Sequence, residues 1–209
     1  MQATQFELPR EATRVWDLEC PIVVNKNRID AYITDEIMEP AAFNELTFLL
    51  STASSAETFY LHINTPGGII DSAFHIVDAI ENSQARVVAT LTGTVASAGT
   101  IIALACDDLI VAKHTAWMSH NYSGGAYGKG HEMKARQEFT DTSLNASFRE
   151  IHEGFFTDKE ITAIIEGKDF WMGKDEVERR WENRKNYTRP IRAIAETSIK
   201  PKRGRPPRA

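Results

Sequence analysis

A run of 20 residues without a charged side chain, from Val87 to Cys106, restricts the fold of this chain more than any other feature. A run of this length could cross a membrane as a helix. Its first part, however, is rich in β-branched residues, and Gly93 and Gly99 interrupt it. This pattern favours a buried strand, a tight turn and a buried helix over a single spanning helix. The sequence therefore predicts a globular domain with no membrane segment.

Segments of strand type and helix type alternate along most of the chain. The alternation predicts an α/β architecture with a mainly parallel sheet, in which active sites lie where strands lead into helices. The predicted strands are 28–33, 59–63, 86–92, 108–112 and 116–118, and the predicted helices are 40–50, 69–82, 97–105, 131–151 and a short one opened by the capping box Thr157–Glu160.

Length and composition limit the number of domains and indicate the cellular compartment. With 209 residues and 42% hydrophobic content, the chain can bury one full-sized core without disulfides or metals. Its two cysteines form no C-x-x-C pair, and reduced thiols suit the cytoplasm. The first residues lack the pattern of a secretory signal. We expect a cytoplasmic protein with an N-terminal arm at 1–27, a core domain at 28–182 and a basic tail at 183–209.

Charge is distributed unevenly. The formal net charge is −5, but the last ten residues hold five basic residues and no acid, which leaves 19 basic against 29 acidic residues elsewhere. Such an acidic body is not a general nucleic-acid binder. The segment 201–209 is too polar for a core and is predicted to be disordered. Its Arg203–Pro206 resembles the AT-hook core, which binds the DNA minor groove; a solvated basic tail is the alternative.

Ser97 lies among small residues at a predicted junction of strand and helix, in the segment Gly93–Thr100. Ala98 and Gly99 leave room there for a substrate backbone, so that Ser97 could be an exposed nucleophile. The alternative role is a helix N-cap, and the two roles are geometrically compatible. A G-x-S-x-G elbow is not present, because residue 95 is valine.

A glycine-rich turn, Asn64–Gly68, also follows a predicted strand and precedes a helix. Backbone N–H groups at such a turn can bind a developing oxyanion, and the N–H of Ala98 would lie next to Ser97 as a further donor. An ordinary β-to-α turn is the alternative interpretation. The Gly-Lys-Ser/Thr ending of a phosphate-binding P-loop is missing.

His120 is the candidate general base, because it stands at a predicted strand end before a glycine-rich loop. A metal site formed by His114, His120 and His131 is the rival interpretation. The spacing of these histidines matches no H-E-x-x-H or comparable motif, so we expect no metal.

Asp169 is an acid directly before the apolar residues Phe170–Met172, where burial beside a histidine would be useful. The sequence alone does not rank it above Asp141 or Asp158. We expect no organic cofactor.

Four segments together resemble the Clp protease proteolytic subunit (ClpP) family, because they follow the family's order and spacing. They are Ile63–Gly68, Gly93–Gly99, Met118–His120 and Lys168–Met172. The resemblance covers about residues 28–177. It implies a ClpP/crotonase-like fold of repeated β-β-α units with a protruding handle helix, matched here by 131–151. It also implies a serine endopeptidase working inside heptameric rings stacked as a tetradecamer.

By motif, the resemblance implies roles for individual residues. Ser97 would be the nucleophile, His120 the base and Asp169 the acid that orients the histidine. The N–H groups of Gly68 and Ala98 would form the oxyanion hole. Polypeptide substrates would bind as extended strands. The candidate substrate-binding residues are Gly67, Ile69, Ile70, Ser123, Gly124 and Gly125.

The sequence also departs from the family pattern. Ala98 stands where methionine is common, and residues 1–27 do not match the region that meets an AAA+ unfoldase, which leaves that partner open. The departures resemble bacteriophage and divergent bacterial members. The alternatives are a crotonase-type acyl-CoA enzyme and a non-catalytic ring or assembly subunit, such as a phage capsid-associated protein. The Ser97–His120 pair argues against the first alternative, and the complete set of triad residues argues against the second.

Overall fold

One mixed sheet of seven strands forms the centre of the fold in the computed structural model, which describes residues 20–125 and 127–185. Helices connect most of its strands. The strands are β1 (Ile22–Asn25), β2 (Arg28–Ile33), β3 (Thr58–Thr65), β4 (Arg86–Ala96), β5 (Asp108–Val111), β6 (Ala116–Ser119) and β7 (Phe170–Gly173). The helices are α1 (Asn44–Thr52), preceded by a 3-10 turn at Pro40–Phe43, α2 (Ile70–Asn82), α3 (Ala98–Ala105), α4 (Gly130–His152), α5 (Asp158–Ile165) and α6 (Lys174–Lys185).

The strand order is β1-β2-β3-β4-β6-β7, with β5 also paired to β4. The pairs β2/β3, β3/β4, β4/β5 and β4/β6 are parallel, as the alternation of elements predicts. The pairs β1/β2 and β6/β7 are antiparallel. Because β7 has only four residues and follows directly on a glycine-containing turn, its sequence carries too little periodicity to predict a strand.

Strand β4 is longer than predicted and changes its partner halfway. Its first half pairs with β5, and its last three residues, Thr94–Ala96, pair with β6. Gly93 lies between the halves with φ +57°, and a Cβ there would come within 2.6 Å of the Asn64 Oδ1. That oxygen accepts a hydrogen bond from the Thr94 N–H at 3.0 Å. The bend at Gly93 therefore lets β4 continue beside β6 up to Ser97.

Helix α3 is buried along its whole length, because seven of its eight residues, Ala98–Ala105, are apolar or glycine and none is charged. Gly99 allows a close approach to the sheet, since a Cβ there would lie 2.4 Å from the Thr65 Cγ2. The start of α3 is thereby held against the end of β3, next to the Gly67 turn. Within the described residues, no helix has the length and apolar character needed to cross a membrane.

The described strands and helices extend beyond the predicted limits of the core domain at both ends. Strand β1 lies inside the predicted arm at 1–27, because its apolar residues pair with β2 and bury Ile22 and the neighbouring Cys20. Burial raises the pKa of the Cys20 thiol to about 12. Helix α6 continues to residue 185, beyond the predicted limit at 182. Most of the predicted arm and the predicted disordered tail with its AT-hook resemblance lie outside the described residues.

The last turn of α4 is anchored in the core by His152, which is fully buried. Its Nδ1 donates to the Phe148 carbonyl oxygen at 2.9 Å, and the two rings stack with centroids 3.8 Å apart. In the described part of the chain, no polar atom is within hydrogen-bonding distance of its Nε2. Burial lowers the pKa of His152 from 6.5 to about 3, so the ring stays neutral in the folded protein.

This buried ring should make stability depend on pH. Between pH 6.5 and about 3 the unfolded chain takes up a proton at His152 that the folded chain does not. The free energy of unfolding therefore falls as the pH falls through that window, by up to about 1.4 kcal/mol per pH unit. We expect His152→Leu to lose this contribution and to show a flatter profile in urea unfolding between pH 6 and pH 4.

The matched control for this measurement is His131→Leu, because His131 lies on the same helix with its side chain 80% exposed. It should keep the wild-type pH profile. Identical slopes in the wild type and in His152→Leu would show that His152 does not carry the effect.

Candidate active site

Ser97 occupies the turn between β4 and α3 in a strained backbone conformation, with φ +53° and ψ −123°. Such a conformation costs about 1–3 kcal/mol and persists only where the surroundings enforce it. Here the Ser97 N–H donates to the Met118 carbonyl at 2.9 Å, and the Thr100 N–H and Oγ1 both donate to the Ser97 carbonyl. The sequence lacks the G-x-S-x-G motif, yet the backbone forms the sharp strand-to-helix turn that presents a nucleophile.

The Ser97 hydroxyl is bonded to His120, not to the helix that it precedes. The His120 Nε2 lies 2.8 Å from the Ser97 Oγ. Ser97 stands at the N-cap position of α3, but its side chain makes no capping hydrogen bond. A serine and an imidazole at this distance can transfer a proton between them, which is the requirement for a serine nucleophile with a general base.

Asp169 stands opposite His120 across two neighbouring strands. Strands β6 and β7 are antiparallel, and their last pair joins Ser119 to Phe170. His120 follows that pair on one strand and Asp169 precedes it on the other. The Asp169 side chain is exposed, and within the described residues no hydrogen bond joins it to His120. Of the other two candidate acids, Asp141 is bonded to Tyr122 and Asp158 opens α5.

Asn121, which the sequence analysis did not single out, fixes the loop that follows His120. Its Nδ2 donates to the Ile165 carbonyl at 2.8 Å, at the end of α5. Its Oδ1 accepts the Tyr122 N–H at 2.8 Å. Asn121 therefore ties the loop after His120 to the segment that leads to Asp169, a link between residues 44 apart in the chain that no local pattern indicates.

The Gly67–Gly68 turn lies against both Ser97 and the Ile37 loop. The Ile37 N–H donates to the Gly67 carbonyl and the Ile69 N–H donates to the Ile37 carbonyl, both at 2.8 Å. Neither of these bonds uses the N–H of Gly68. Gly68 has φ +149°, and a Cβ there would come within 2.2 Å of the Ile37 carbonyl oxygen. A Cβ on Gly67 would lie 2.5 Å from the Ser97 Cβ, so both positions require glycine.

A cavity of about 540 Å³ opens over the serine and the histidine. It brings together seven of the residues predicted from the sequence, namely Gly68, Ile69, Ile70, Ser97, Ala98, His120 and Ser123. Ala98 is the first residue of α3, where backbone N–H groups have no partner within the helix. Its N–H and that of Gly68 are therefore the candidate oxyanion donors at this cavity.

The remaining lining of the cavity was not foreseen. Its apolar part comes from Ile101, Met118 and Phe148, and Glu36, Pro66 and Tyr122 complete it. Phe148 belongs to α4, which is distant in sequence, so only the tertiary contact identifies it. Gly124 and Gly125 line a neighbouring cavity of about 410 Å³.

The three histidines of the rival metal interpretation do not come together. His120 is bonded to Ser97, His114 is exposed in the loop between β5 and β6, and His131 is exposed at the start of α4. Across 20–125 and 127–185, no group of three or more His, Cys, Asp or Glu side chains could hold a metal ion.

Several known proteins are similar to this chain in sequence or in fold. A sequence model of the Clp protease family matches residues 20–177. ATP-dependent Clp protease proteolytic subunit 2 of Pseudomonas aeruginosa is 31% identical over 147 residues, which are 68% of this chain and 71% of the relative. The ATP-dependent Clp protease proteolytic subunit of Streptococcus suis is 27% identical over 154 residues, 68% of this chain and 74% of the relative.

Among solved structures, a ClpP1 mutant from Listeria monocytogenes matches with a TM-score of 0.57 and 24% identity, over 72% of this chain and 86% of that chain. This likeness confirms the predicted ClpP-like α/β fold.

Proposed function

Because the chain belongs to the Clp protease family, we propose that it is a serine endopeptidase with Ser97 as nucleophile and His120 as general base. The observation that carries the proposal is the 2.8 Å contact between the Ser97 Oγ and the His120 Nε2, made by a serine with φ +53°. Strain that is maintained at a serine within reach of an imidazole has a direct use in catalysis, because it keeps the hydroxyl exposed to the substrate.

In the proposed reaction, the Ser97 Oγ attacks the carbonyl carbon of the scissile peptide bond and transfers its proton to the His120 Nε2. The carbonyl oxygen becomes an oxyanion that accepts hydrogen bonds from the N–H groups of Gly68 and Ala98. Each donor should contribute about 2.7–4 kcal/mol to transition-state stabilisation. His120 then gives the proton to the leaving amine as the C–N bond breaks. Water hydrolyses the acyl-enzyme by the same route.

Asp169 is the proposed acceptor for the second N–H of the His120 ring. When Nε2 accepts the serine proton, Nδ1 carries a hydrogen of its own, and a carboxylate beside it stabilises the imidazolium. The register of β6 and β7, which sets Asp169 opposite His120, supports this role. The exposed carboxylate has to turn onto Nδ1 for the triad to close.

Substrates are proposed to bind as extended polypeptides between two backbone segments beside the cavity. One is Gly67–Ile70 and the other is Ser123–Gly125. Ile69, Ile70 and Ser123 line the catalytic cavity, which supports this orientation. Backbone hydrogen bonds along an extended peptide give affinity that does not depend on sequence.

We further propose that the protein forms heptameric rings stacked as a tetradecamer, in the cytoplasm, with an AAA+ unfoldase as the supplier of polypeptide. Phe139 on α4 is 72% exposed and Trp171 on the edge strand β7 is 63% exposed, and burial of such side chains favours assembly. DNA binding by the C-terminal tail remains a hypothesis from the sequence alone.

A fluorophosphonate probe tests the peptidase proposal, because it phosphonylates a serine that a neighbouring base has activated, with fluoride as the leaving group. We expect covalent labelling of the wild type at Ser97, located by mass spectrometry, and none in Ser97→Ala. Labelling should be measured on protein fractions separated by size. The mass of the labelled assembly is then known together with its reactivity.

Ser51→Ala is the matched control, since Ser51 is exposed on α1 and its hydroxyl donates to the Phe48 carbonyl of the same helix. It should be labelled as the wild type is. Persistent labelling of Ser97→Ala, or an unreactive wild type in its assembled fraction, would contradict the proposal. The second result would favour a non-catalytic ring subunit or an acyl-CoA enzyme.

A further inference from the structure

Tyr122 lies between two cavities beside the catalytic pair. It lines the cavity of about 540 Å³ that contains Ser97, and it also lines the neighbouring cavity of about 410 Å³ along α4. Within the described residues, Ile70, Tyr122 and Ser123 are shared by both cavities. Tyr122 has the largest side chain of the three, and its ring, the wall, stands at this shared boundary.

Two side chains of α4 hold this ring in place. The Tyr122 hydroxyl donates to the Asp141 Oδ1. The Gln137 Nε2 donates to the same hydroxyl at 2.9 Å and to the Asp141 Oδ1 at 2.8 Å. The Asp141 carboxylate raises the pKa of Tyr122, so the hydroxyl keeps its proton and remains a donor. The ring cannot turn away without breaking this group of bonds.

The backbone of Tyr122 is fixed from the opposite side. Its N–H donates to the Asn121 Oδ1, and the Asn121 Nδ2 donates to the Ile165 carbonyl, both at 2.8 Å. Because α4 holds the side chain and the end of α5 holds the backbone, the wall has a defined position relative to His120, two residues earlier.

The two cavities differ in chemistry. Beyond the catalytic residues, Ile101, Met118 and Phe148 give the first cavity an apolar surface. The second cavity has a mixed lining, in which the polar side chains of Arg136, Ser143 and Ser147 stand beside apolar ones such as Leu144. In the proposed binding mode, a peptide side chain next to the attacked carbonyl would enter the apolar cavity first, and the Tyr122 ring would stand between it and the second cavity.

We propose that Tyr122 is a specificity-determining residue, whose ring, held by Asp141 and Gln137, limits the depth of the pocket for the side chain before the scissile bond. This rests on the proposed peptidase function. The closed wall favours a side chain of leucine size over one of tryptophan size. Opening the wall joins the two cavities and admits the larger side chain.

Two fluorogenic peptides that differ only in leucine or tryptophan before the cleaved bond test this inference. We expect Tyr122→Ala to raise the tryptophan-to-leucine ratio of kcat/KM at least about tenfold over the wild type, within the range by which pocket size discriminates substrates. Asp141→Ala keeps the ring but removes its anchor, and should raise the ratio about threefold. A loss of folded enzyme does not change the ratio, because the same active molecules hydrolyse both peptides.

Tyr127→Ala is the control, since Tyr127 is a fully exposed tyrosine in the same loop region that lines neither cavity. It should keep the wild-type ratio. Ratios within twofold of the wild type in both Tyr122→Ala and Asp141→Ala would overturn the inference while leaving the peptidase function intact. If Tyr122→Ala does not fold, the tryptophan-to-leucine ratio of kcat/KM in Asp141→Ala tests the inference by itself. A wild type that cleaves neither peptide and takes no fluorophosphonate label overturns the peptidase function and this inference together.

Discussion

Replacing His120 by alanine is expected to lower kcat for peptide hydrolysis by about 10⁶-fold, the loss found when the base of a serine nucleophile is removed. Without the imidazole at 2.8 Å, no group takes the Ser97 proton during attack, and none returns a proton to the leaving amine. KM should change little, because the ring of His120 is only a small part of the cavity that holds the substrate. Initial rates with a fluorogenic peptide measure both constants.

Two further variants test whether the loss of kcat is specific to His120 acting with Ser97. His114→Ala removes an exposed histidine from the loop before β6 and should keep the wild-type kcat. The double variant Ser97→Ala/His120→Ala should be no slower than either single variant, because the two residues act as a unit. Retention of more than a tenth of kcat in His120→Ala would assign proton transfer to another group.

Replacing Gly68 by alanine should lower kcat/KM by about 10²- to 10³-fold, as expected for the loss of one oxyanion donor. The added Cβ would meet the Ile37 carbonyl oxygen at 2.2 Å and the Ile37 nitrogen at 2.7 Å. These are backbone atoms, so either the Ile37 loop or the Gly68 N–H must move. The same clash should lower the free energy of unfolding by about 1–3 kcal/mol, measured by urea titration.

Gly128→Ala separates the clash from the unfavourable backbone angle. Gly128 has φ +150°, almost the same as Gly68, but among the described residues its Cβ would meet just the Glu132 carboxylate, at 3.5 Å. Gly128→Ala should therefore lower the free energy of unfolding through its backbone angle alone, without a large loss of kcat/KM. Equal losses in the two variants would mean that strain, and not the displaced donor, reduces activity.

Much of the fold could be predicted from the sequence, because short segments carry the patterns that indicate its helices and strands. Helix α4 was predicted at 131–151 and runs from 130 to 152. The capping box at Thr157 forms as predicted, with the Thr157 side chain accepting the Glu160 N–H. Strand β7 and the last residues of β4 were not predicted, since pairing with β6, and not their own periodicity, makes them strands.

The residues of the candidate site also fall into two groups, those indicated by local sequence and those identified by tertiary contacts. Small residues around Ser97 and the turn at Gly68 are short segments whose backbone requirements can be seen in the sequence. Asp169 could not be separated from Asp141 by sequence, because the difference lies in the pairing of β6 with β7 and in the bond between Asp141 and Tyr122.

Short segments of sequence specify which residue types are available to act and where the chain can turn. The serine, the histidine and the glycines that allow close backbone approach belong to such segments. Which of these residues meet depends on the tertiary structure. The bend of β4 at Gly93 brings Ser97 beside β6, and α4 supplies Phe148 and the anchor for Tyr122. These contacts join residues far apart in the chain, and packing of the whole domain sets their distances.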